Sequence, residues 1–335
     1  MFANDYFNFE IPQAEKKTII PTLRKHLSRE AAAIVGFIAD GGPKGKKGWE
    51  ELFFEPELRR GLVIAIIGFV LQEHVFGSLC FGATEEQIAE LHEDEIEQRD
   101  DEHDGFSRTA ERAKKIRQFI EASERKTGRD SLEVRTYTLN FRSESVTLAW
   151  QIYALLWPIL ALSTTYRNLP VPEAFRRTSV GSVEDDEGLS DEAEVQYDIF
   201  SHLYKIVTLA ARMHLRMRLD GDTIYHCGGV YKDQLYTPQT MIAFNEKTMN
   251  RTKEYAEEKD QEQLDEEFKL KAVRVVCWGV WSAYKKGGWM EDEKDMGIRE
   301  FQVAKSLVVL RWTQGEENPS KYVPFSAVWG KGKKV

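Results

Sequence analysis

The sequence predicts a mainly α protein, with a helical globular body around a buried central helix and a small β-containing element near its C-terminal end. Residues 145–166 contain no charged side chain, and their apolar residues cover every helical face, which is typical of a helix buried on all sides. Other segments repeat apolar residues at three- and four-residue spacings, as amphipathic helices do. Residues 272–284 and 299–313 are instead rich in β-branched and aromatic side chains, which predicts two strands.

The central segment is also long enough to cross a bilayer, which needs about 20 apolar residues. Trp150 and Trp157 lie in its middle, whereas tryptophans of membrane helices favour the interfaces. Gln151 is equally central, and Pro158 removes one backbone hydrogen bond of the helix. We therefore expect a buried helix and no membrane span, with membrane attachment through this segment as an alternative.

Changes in composition divide the chain into three parts. Residues 1–27 form an N-terminal extension, and residues 28–250 form the helical body. A stretch that mixes proline, glycine and many charges interrupts this body at 167–190 and predicts a mobile loop. Residues 251–335 contain a charged connector and the small β-containing element, which we expect to pack on the body.

Capping residues indicate where the first helices begin. Ser28 is a good N-cap, and Pro56 suits the first position of a second, mostly buried helix. Thr84 and Gln87 match a capping box, in which the two side chains satisfy each other's backbone N–H groups. The helix that they open is acidic and the next one, with Ser107 as its expected cap, is basic. We expect these two helices to form an antiparallel pair.

A long amphipathic helix is predicted for residues 191–218. Its apolar stripe consists of Val195, Ile199, Leu203, Ile206, Ala210 and Met213. Thr237 and Pro238 can start a further helix that runs toward Met249.

Charge and cysteine content limit the class of protein. The net charge of −9 argues against a broad nucleic-acid-binding face, so no nucleic-acid partner is expected. Cys80, Cys227 and Cys277 are far apart and include no CxxC pair, which gives no disulfide framework and no zinc knuckle. The first residues do not have the pattern of a secretory signal. We expect an intracellular protein, cytoplasmic or nuclear.

The best candidates for catalytic chemistry are His74, His92, His103 and Asp104. His92 and His103 are eleven residues apart, so a continuous helix would place them on one face. The set loosely resembles the His-Asp arrangement of all-helical metal phosphohydrolases, and that resemblance implies a metal-dependent hydrolase. The alternative, which we favour, is a solvated acidic helix without a metal. No cofactor is expected, because GxGxxG, GxSxG and HExxH motifs are absent and GGPKGKKG lacks the spacing of a phosphate-binding loop.

The predicted mobile loop contains two candidate phosphorylation sites. Ser179 lies in the sequence RRTSV, which resembles the target of a basophilic kinase. Ser182 precedes the acidic run EDDE and resembles the target of an acidophilic kinase. A protein kinase that acts on this loop is therefore an expected partner.

Four segments resemble a set of uncharacterised proteins from filamentous fungi: residues 40–87, 104–119, 216–245 and 303–312. The resemblance lies in their pattern of Gly, Trp and Phe. It implies a fungal, intracellular protein and supplies no catalytic residues.

Taken alone, the sequence favours a non-enzymatic helical interaction or scaffold protein with a phosphoregulated loop and an unidentified protein partner. The alternative is the metal-dependent phosphohydrolase described above.

Overall fold

The computed structural model of the protein describes residues 2–127, 137–169, 191–251, 270–293, 295–313 and 322–329. The helices are α1 (Phe2–Phe7), α2 (Ile19–His26), α3 (Arg29–Ile38), α4 (Lys46–Phe54), α5 (Pro56–Leu71), α6 (Glu85–Asp100), α7 (Gly105–Thr127), α8 (Phe141–Leu160), α9 (Asp191–Leu219), α10 (Glu246–Met249) and α11 (Phe325–Trp329). The strands are β1 (Thr223–Gly228), β2 (Met241–Ala243), β3 (Lys271–Trp278), β4 (Val280–Lys286), β5 (Ile298–Ala304) and β6 (Ser306–Trp312). The described chain is thus mainly helical, with two small sheets.

Helix α8 is the predicted central helix, and it packs against α2, α5 and α9. It begins before residue 145 and ends at Leu160, two residues after Pro158. Burial is not complete on every side, because Thr147 and Gln151 lie on an exposed stripe of the helix. The opposite faces, with Leu156 at their centre, are fully buried. Among the helices of the described ranges, none combines the length and apolar character that a membrane crossing requires.

The β structure differs from the prediction of two strands. Each predicted strand is divided into two, at Gly279 and at Lys305, so that β3 and β6 pair in one sheet while β4 and β5 pair in another. A third strand completes each sheet, and the orders are β1-β4-β5 and β2-β6-β3. Since β1 and β2 precede residue 250, the sheets also draw strands from the part predicted as helical body.

Two glycines of α5 let the helix approach the sheet of β3 and β6 closely. A Cβ atom at Gly68 would lie 2.1 Å from the carbonyl oxygen of Cys277, and one at Gly61 would lie 2.4 Å from Val309. Side chains at these two positions would therefore force the helix away from the sheet.

The N-terminal residues are part of the main core, because Phe2, Phe7 and Leu23 are buried in the same cluster as α5 and α8. Arg59, on α5, is fully buried beneath them. Its guanidinium donates hydrogen bonds to four backbone carbonyls, those of Phe7, Phe9, Phe53 and Phe54. One buried cation thus ties the first residues of the chain to α4 and α5.

The capping predictions have mixed outcomes. Ser28 accepts a hydrogen bond from the amide of Ala31, and Thr84 forms the complete capping box with Gln87. The cap of α7 is not Ser107, because the Asp104 carboxylate accepts a hydrogen bond from the Ser107 amide at 2.8 Å. Asp and Ser are both good caps, and the helix begins one turn earlier than the sequence suggested.

Helices α6 and α7 form the predicted antiparallel pair. Arg112 of α7 forms an ion pair with Glu95 of α6, and Lys115 forms ion pairs with Glu90 and Asp94. The residue numbers rise along α7 as they fall along α6, which fixes the antiparallel direction. Because α7 also packs against α9, the pair places Arg112 beside α9.

Two other predictions about the second half of the chain need correction. In α9 the buried stripe includes Val207 and His214, whereas Met213 is half exposed. The helix predicted from Thr237 is replaced by a turn, by β2 and by the single turn of α10. Here pairing of β2 with β6 outweighs the local preference for a helix. The predicted loop at 167–190 lies outside the described residues from residue 170 onward, as does most of the charged connector.

Candidate functional site

A small, partly open cavity lies where the turn that follows α5 meets α7, α9, β1 and β4. Its volume is about 180 Å³. Polar side chains from three helices and apolar rings share its wall, a combination that is common in ligand sites. The lining includes Gln72, Phe76, Thr109, Arg112, His214, Met217, Arg218, Thr223, Cys227 and Trp281. We call it the arginine cavity, after Arg112 and Arg218.

One wall of the arginine cavity is a π-helical turn, Gln72–Phe76, that continues directly from α5. The amide of Gly77 bonds to the carbonyl of Gln72, five residues back, at 2.8 Å. Such turns leave backbone carbonyls without their usual helical partners and often occur at functional sites. Here the carbonyls of Phe76 and Ser78 point toward α9, where they accept hydrogen bonds from Arg218.

Arg218 contributes a half-buried positive charge. It donates through Nη2 to the carbonyls of Ser78 at 2.9 Å and Phe76 at 3.4 Å. Burial, and then repulsion from Arg112, lowers the pKa of Arg218 to about 10, so that it remains charged at neutral pH. Within the described part of the chain, no carboxylate lies within 4.0 Å of Arg218.

Arg112 is the second guanidinium, and it has only one anionic neighbour. Its Nη1 pairs with Glu95, while its Nη2 donates to the Thr109 hydroxyl at 3.3 Å. Two guanidinium groups and one carboxylate leave the arginine cavity with one uncompensated positive charge. Since a buried charge without a partner is costly, this excess favours binding of an anion.

Two buried donors of lining residues have no hydrogen-bond partner among the described residues: Nε of Arg112 and Nε1 of Trp281. Trp281 is only 8% exposed, and its ring packs edge-on against Phe76 at 5.0 Å between centroids. Buried donors are nearly always satisfied by protein or by bound molecules. Their position around one cavity is a second observation, independent of the charge, that indicates a ligand.

His214 is buried beside the two arginines and stays neutral. Burial first, and then repulsion from Arg218 and Arg112, lowers its pKa to about 3. Its Nε2 lies 3.4 Å from the Ser78 hydroxyl, which itself donates to the carbonyl of Val75. The Ser78 hydroxyl is therefore engaged with the backbone, and the pair lacks a third, carboxylate member among the described residues, unlike a nucleophilic triad.

Cys227 does not supply a nucleophile either. Burial raises the pKa of its thiol above the ordinary value, so the protonated form dominates at neutral pH. Gln72 Nε2 lies 3.1 Å from the sulfur. The chemistry of the lining residues is that of a binding site: fixed donors, one excess positive charge and apolar rings.

The four residues of the hydrolase alternative are not brought together around a metal. No group of three potential ligands from His, Cys, Asp and Glu occurs within the described ranges. His92 is exposed on α6, and His74 is exposed on the π-helical turn. Helix α6 ends at Asp100, and Glu102 has a φ of 58°, so His103 does not continue the helical face of His92.

Asp104 has a structural role as the cap of α7. Its second oxygen pairs with Lys286, and this contact, together with the amide of Ser107, lowers the pKa of the Asp104 carboxyl below its usual range. The candidate phosphorylation sites Ser179 and Ser182 lie outside the described residues.

Comparison with protein-family models, with curated proteins and with solved structures found no match for this chain. The resemblance to fungal proteins and the function therefore stay predictions, and the arginine cavity is the structural basis for proposing a function.

The sequence contained a signal for this site that composition and motif searches do not use. His214 continues the buried stripe of α9, and Arg218, four residues nearer the C-terminal end on the same face, is half-buried. A polar residue on a buried stripe is more informative than an apolar one, because it needs a partner. Arg112 and Trp281 gave no such signal, since only tertiary contacts bring them to α9.

The pKa of His214 predicts how stability depends on pH. In the unfolded chain this histidine titrates near pH 6.5, whereas in the folded protein it stays neutral down to about pH 3. Between these values the unfolded chain binds the extra proton, so stability falls as the pH falls. Each pH unit between the two pKa values lowers the free energy of unfolding by ~1.4 kcal/mol. Urea unfolding at pH 7 and pH 5 measures this loss of stability. The loss should be about 2 kcal/mol smaller for His214→Gln than for the wild type.

The control for this measurement is His92→Gln, because His92 is exposed. It should keep the pH dependence of the wild type. The buried, neutral state of His214 would be contradicted by a His214→Gln variant that loses as much stability between pH 7 and pH 5 as the wild type.

Proposed function

We propose that the protein is a binding protein for a small organic carboxylate, which lies in the arginine cavity between Arg112 and Arg218. The observation that carries this proposal is the half-buried guanidinium of Arg218, which has two carbonyl acceptors and, in the described part of the chain, no carboxylate within 4.0 Å. Its Nε and Nη1 donors are not used by those carbonyls. A carboxylate fits this need because it accepts two parallel hydrogen bonds from one guanidinium.

Charge and size restrict the ligand further. One excess positive charge matches a monoanion, whereas a phosphate monoester would bring a charge of about −1.5 to −2 at neutral pH. A cavity of about 180 Å³ is slightly larger than the engineered cavity of ~150 Å³ that is known to bind benzene. The part of the ligand inside the cavity is therefore comparable in size to one aromatic ring. Phe76 and Met217 provide apolar walls for it.

A structural role for Arg218 is the competing explanation. The arginine lies in the last turn of α9, where a cation is favoured by the helix dipole, and it holds the π-helical turn in place. That role accounts for the two carbonyl contacts. It does not account for the partnerless donors of Arg112 and Trp281, two residues that line the cavity.

Benzoate is the probe that tests this proposal, with benzamide as its neutral analogue of the same shape. Benzoate should raise the melting temperature, because a ligand that binds only the folded state at about 100 times its Kd adds ~2.7 kcal/mol of stability. Benzamide should have little effect. In a ¹H–¹⁵N spectrum benzoate should shift the indole resonance of Trp281, which Trp281→Phe identifies.

The matched variants are Arg218→Met and Arg216→Met, two residues apart and on different faces of α9. Arg216 is exposed, so its variant should bind benzoate as the wild type does. Arg218→Met should lose binding. If this variant does not fold, the shift of the Trp281 indole resonance in the wild-type protein still tests whether benzoate binds at the cavity. Equal effects of benzoate and benzamide, or no effect of either on Trp281, would show that the cavity is not an anion site.

A second function, interaction with a protein, is favoured by strand β5. It is an edge strand of its sheet, and Ile298, Phe301 and Val303 are at least half exposed. The ring of Trp289 lies 5.9 Å from that of Phe301 and extends the apolar surface. Apolar edge strands bind a strand of a partner through backbone hydrogen bonds. This supports the scaffold role proposed from the sequence, in which a kinase would act on Ser179 and Ser182.

Val303→Lys places a charge on this edge and should release a partner that binds there, because lysine blocks strand addition. In pull-downs from cell extract, a partner retained in stoichiometric amount by the wild type should be absent with Val303→Lys. Tyr197→Lys, at an exposed aromatic residue on α9, is the control and should retain it. Identical retention by all three proteins would exclude β5 as the interaction surface.

A further inference from the structure

An outer groove lies directly beside the arginine cavity. Its volume is about 480 Å³. It is lined by α3, by the end of α5 and by the segments that follow β1 and precede β4. Its apolar side chains are Phe37, Ile38, Phe69, Val230, Tyr231 and Val276. Phe37 is 70% exposed and Tyr231 is 73% exposed, so two large aromatic side chains stand open to solvent at this groove.

Two side chains, Gln72 and Cys227, line both the arginine cavity and the outer groove. The contact between them, at 3.1 Å from Gln72 Nε2 to Cys227 Sγ, forms a partition between the two spaces. The partition lies over Gly279, where a Cβ atom would come within 2.9 Å of both side chains. It consists of side chains joined by a weak hydrogen bond, because a thiol is a poor acceptor.

We infer that the ligand is a medium-chain carboxylic acid, whose head lies in the arginine cavity and whose apolar tail passes the Gln72–Cys227 partition into the outer groove. This inference rests on the proposed function and names the class of ligand. The cavity alone accommodates a short acid, so a longer chain has to leave it. The outer groove is the adjoining apolar space, and burial of a tail there covers Phe37 and Tyr231.

The other charged groups around the outer groove agree with an uncharged tail. Lys232 donates to the carbonyls of Gly36 and Ala39 and is thereby held at the backbone of α3. Glu73 is exposed at the end of the groove. One cation and one anion leave the groove without excess charge, in contrast to the arginine cavity. A ligand with one negative charge at its head and an uncharged tail therefore suits the arginine cavity at one end and the outer groove at the other.

The test is the affinity of the full-length protein for straight-chain acids from butanoate to decanoate, measured by titration calorimetry. Butanoate fits inside the cavity. Beyond about six carbons, each further methylene should improve the affinity roughly two- to fourfold, as expected for a buried CH₂ group. Decanoate should therefore bind at least tenfold more tightly than hexanoate.

Phe37→Ser with Tyr231→Ser removes the exposed aromatic side chains of the groove without touching the cavity. This double variant should bind butanoate as the wild type does. It should lose most of the increase in affinity that longer acids show with the wild type. Tyr197→Ser, at an exposed aromatic residue elsewhere, should keep the gain.

The possible failures can be told apart. If butanoate and hexanoate bind but decanoate binds no better, the carboxylate site stands and the tail path is wrong. A gain that survives in the double variant also overturns the tail path, since the tail would then lie elsewhere. If no acid of the series binds, the proposed function fails, and this inference fails with it.

Discussion

The cost of burying guanidinium groups is the constraint on which much of this structure depends. A charge taken out of water has to be matched by acceptors in fixed positions. Arg59 is surrounded by four backbone carbonyls, and Arg311 reaches Asp40, Asp233 and the hydroxyl of Tyr322. Both are satisfied by the chain itself. Arg218 has two carbonyl acceptors, both at Nη2, against four for Arg59, and it has no carboxylate within 4.0 Å among the described residues; this smaller set of acceptors points to a ligand.

These arginines also explain how distant parts of the chain are held together. Arg59 fixes the first residues on α4 and α5, so that the segment predicted as an extension belongs to the main core. Arg311 joins β6 to the turn after α3 and to the segment that precedes α11. Trp49 adds a hydrogen bond from its indole to the carbonyl of Val323 at 2.7 Å. Because each contact joins distant segments, removal of one partner would leave a buried charge or donor unsatisfied.

Local chemistry explains which parts of the fold could be predicted from the sequence. The capping box of Thr84, the cap at Ser28 and most of the stripe of α9 depend on residues three or four positions apart, and these features are present. The division of the strands at Gly279 was not predictable in this way. It depends on the crowding of Gly279 against Cys227 and Gln72, which are distant in sequence.

The arginine cavity was missed for the same reason. Its wall combines five elements, and the sequence offered only the polar pair His214 and Arg218 on an apolar stripe as a sign of it. The histidines chosen from the sequence were selected by an assumed continuous helix, but the chain turns at Glu102. An assumption about local periodicity thus placed the candidate site on the outside of α6, whereas long-range packing placed the cavity between α7 and α9.

The most direct measurement of the central claim is a crystal structure of the protein grown with 4-bromobenzoate, with anomalous data collected at the bromine edge. The account predicts a bromine peak at the arginine cavity or its partition, and a carboxylate within hydrogen-bond distance of Arg218 and of the Trp281 indole. A cavity that contains only ordered water at a saturating concentration of 4-bromobenzoate would contradict it, and Arg218 would then be a structural arginine that stabilises the π-helical turn.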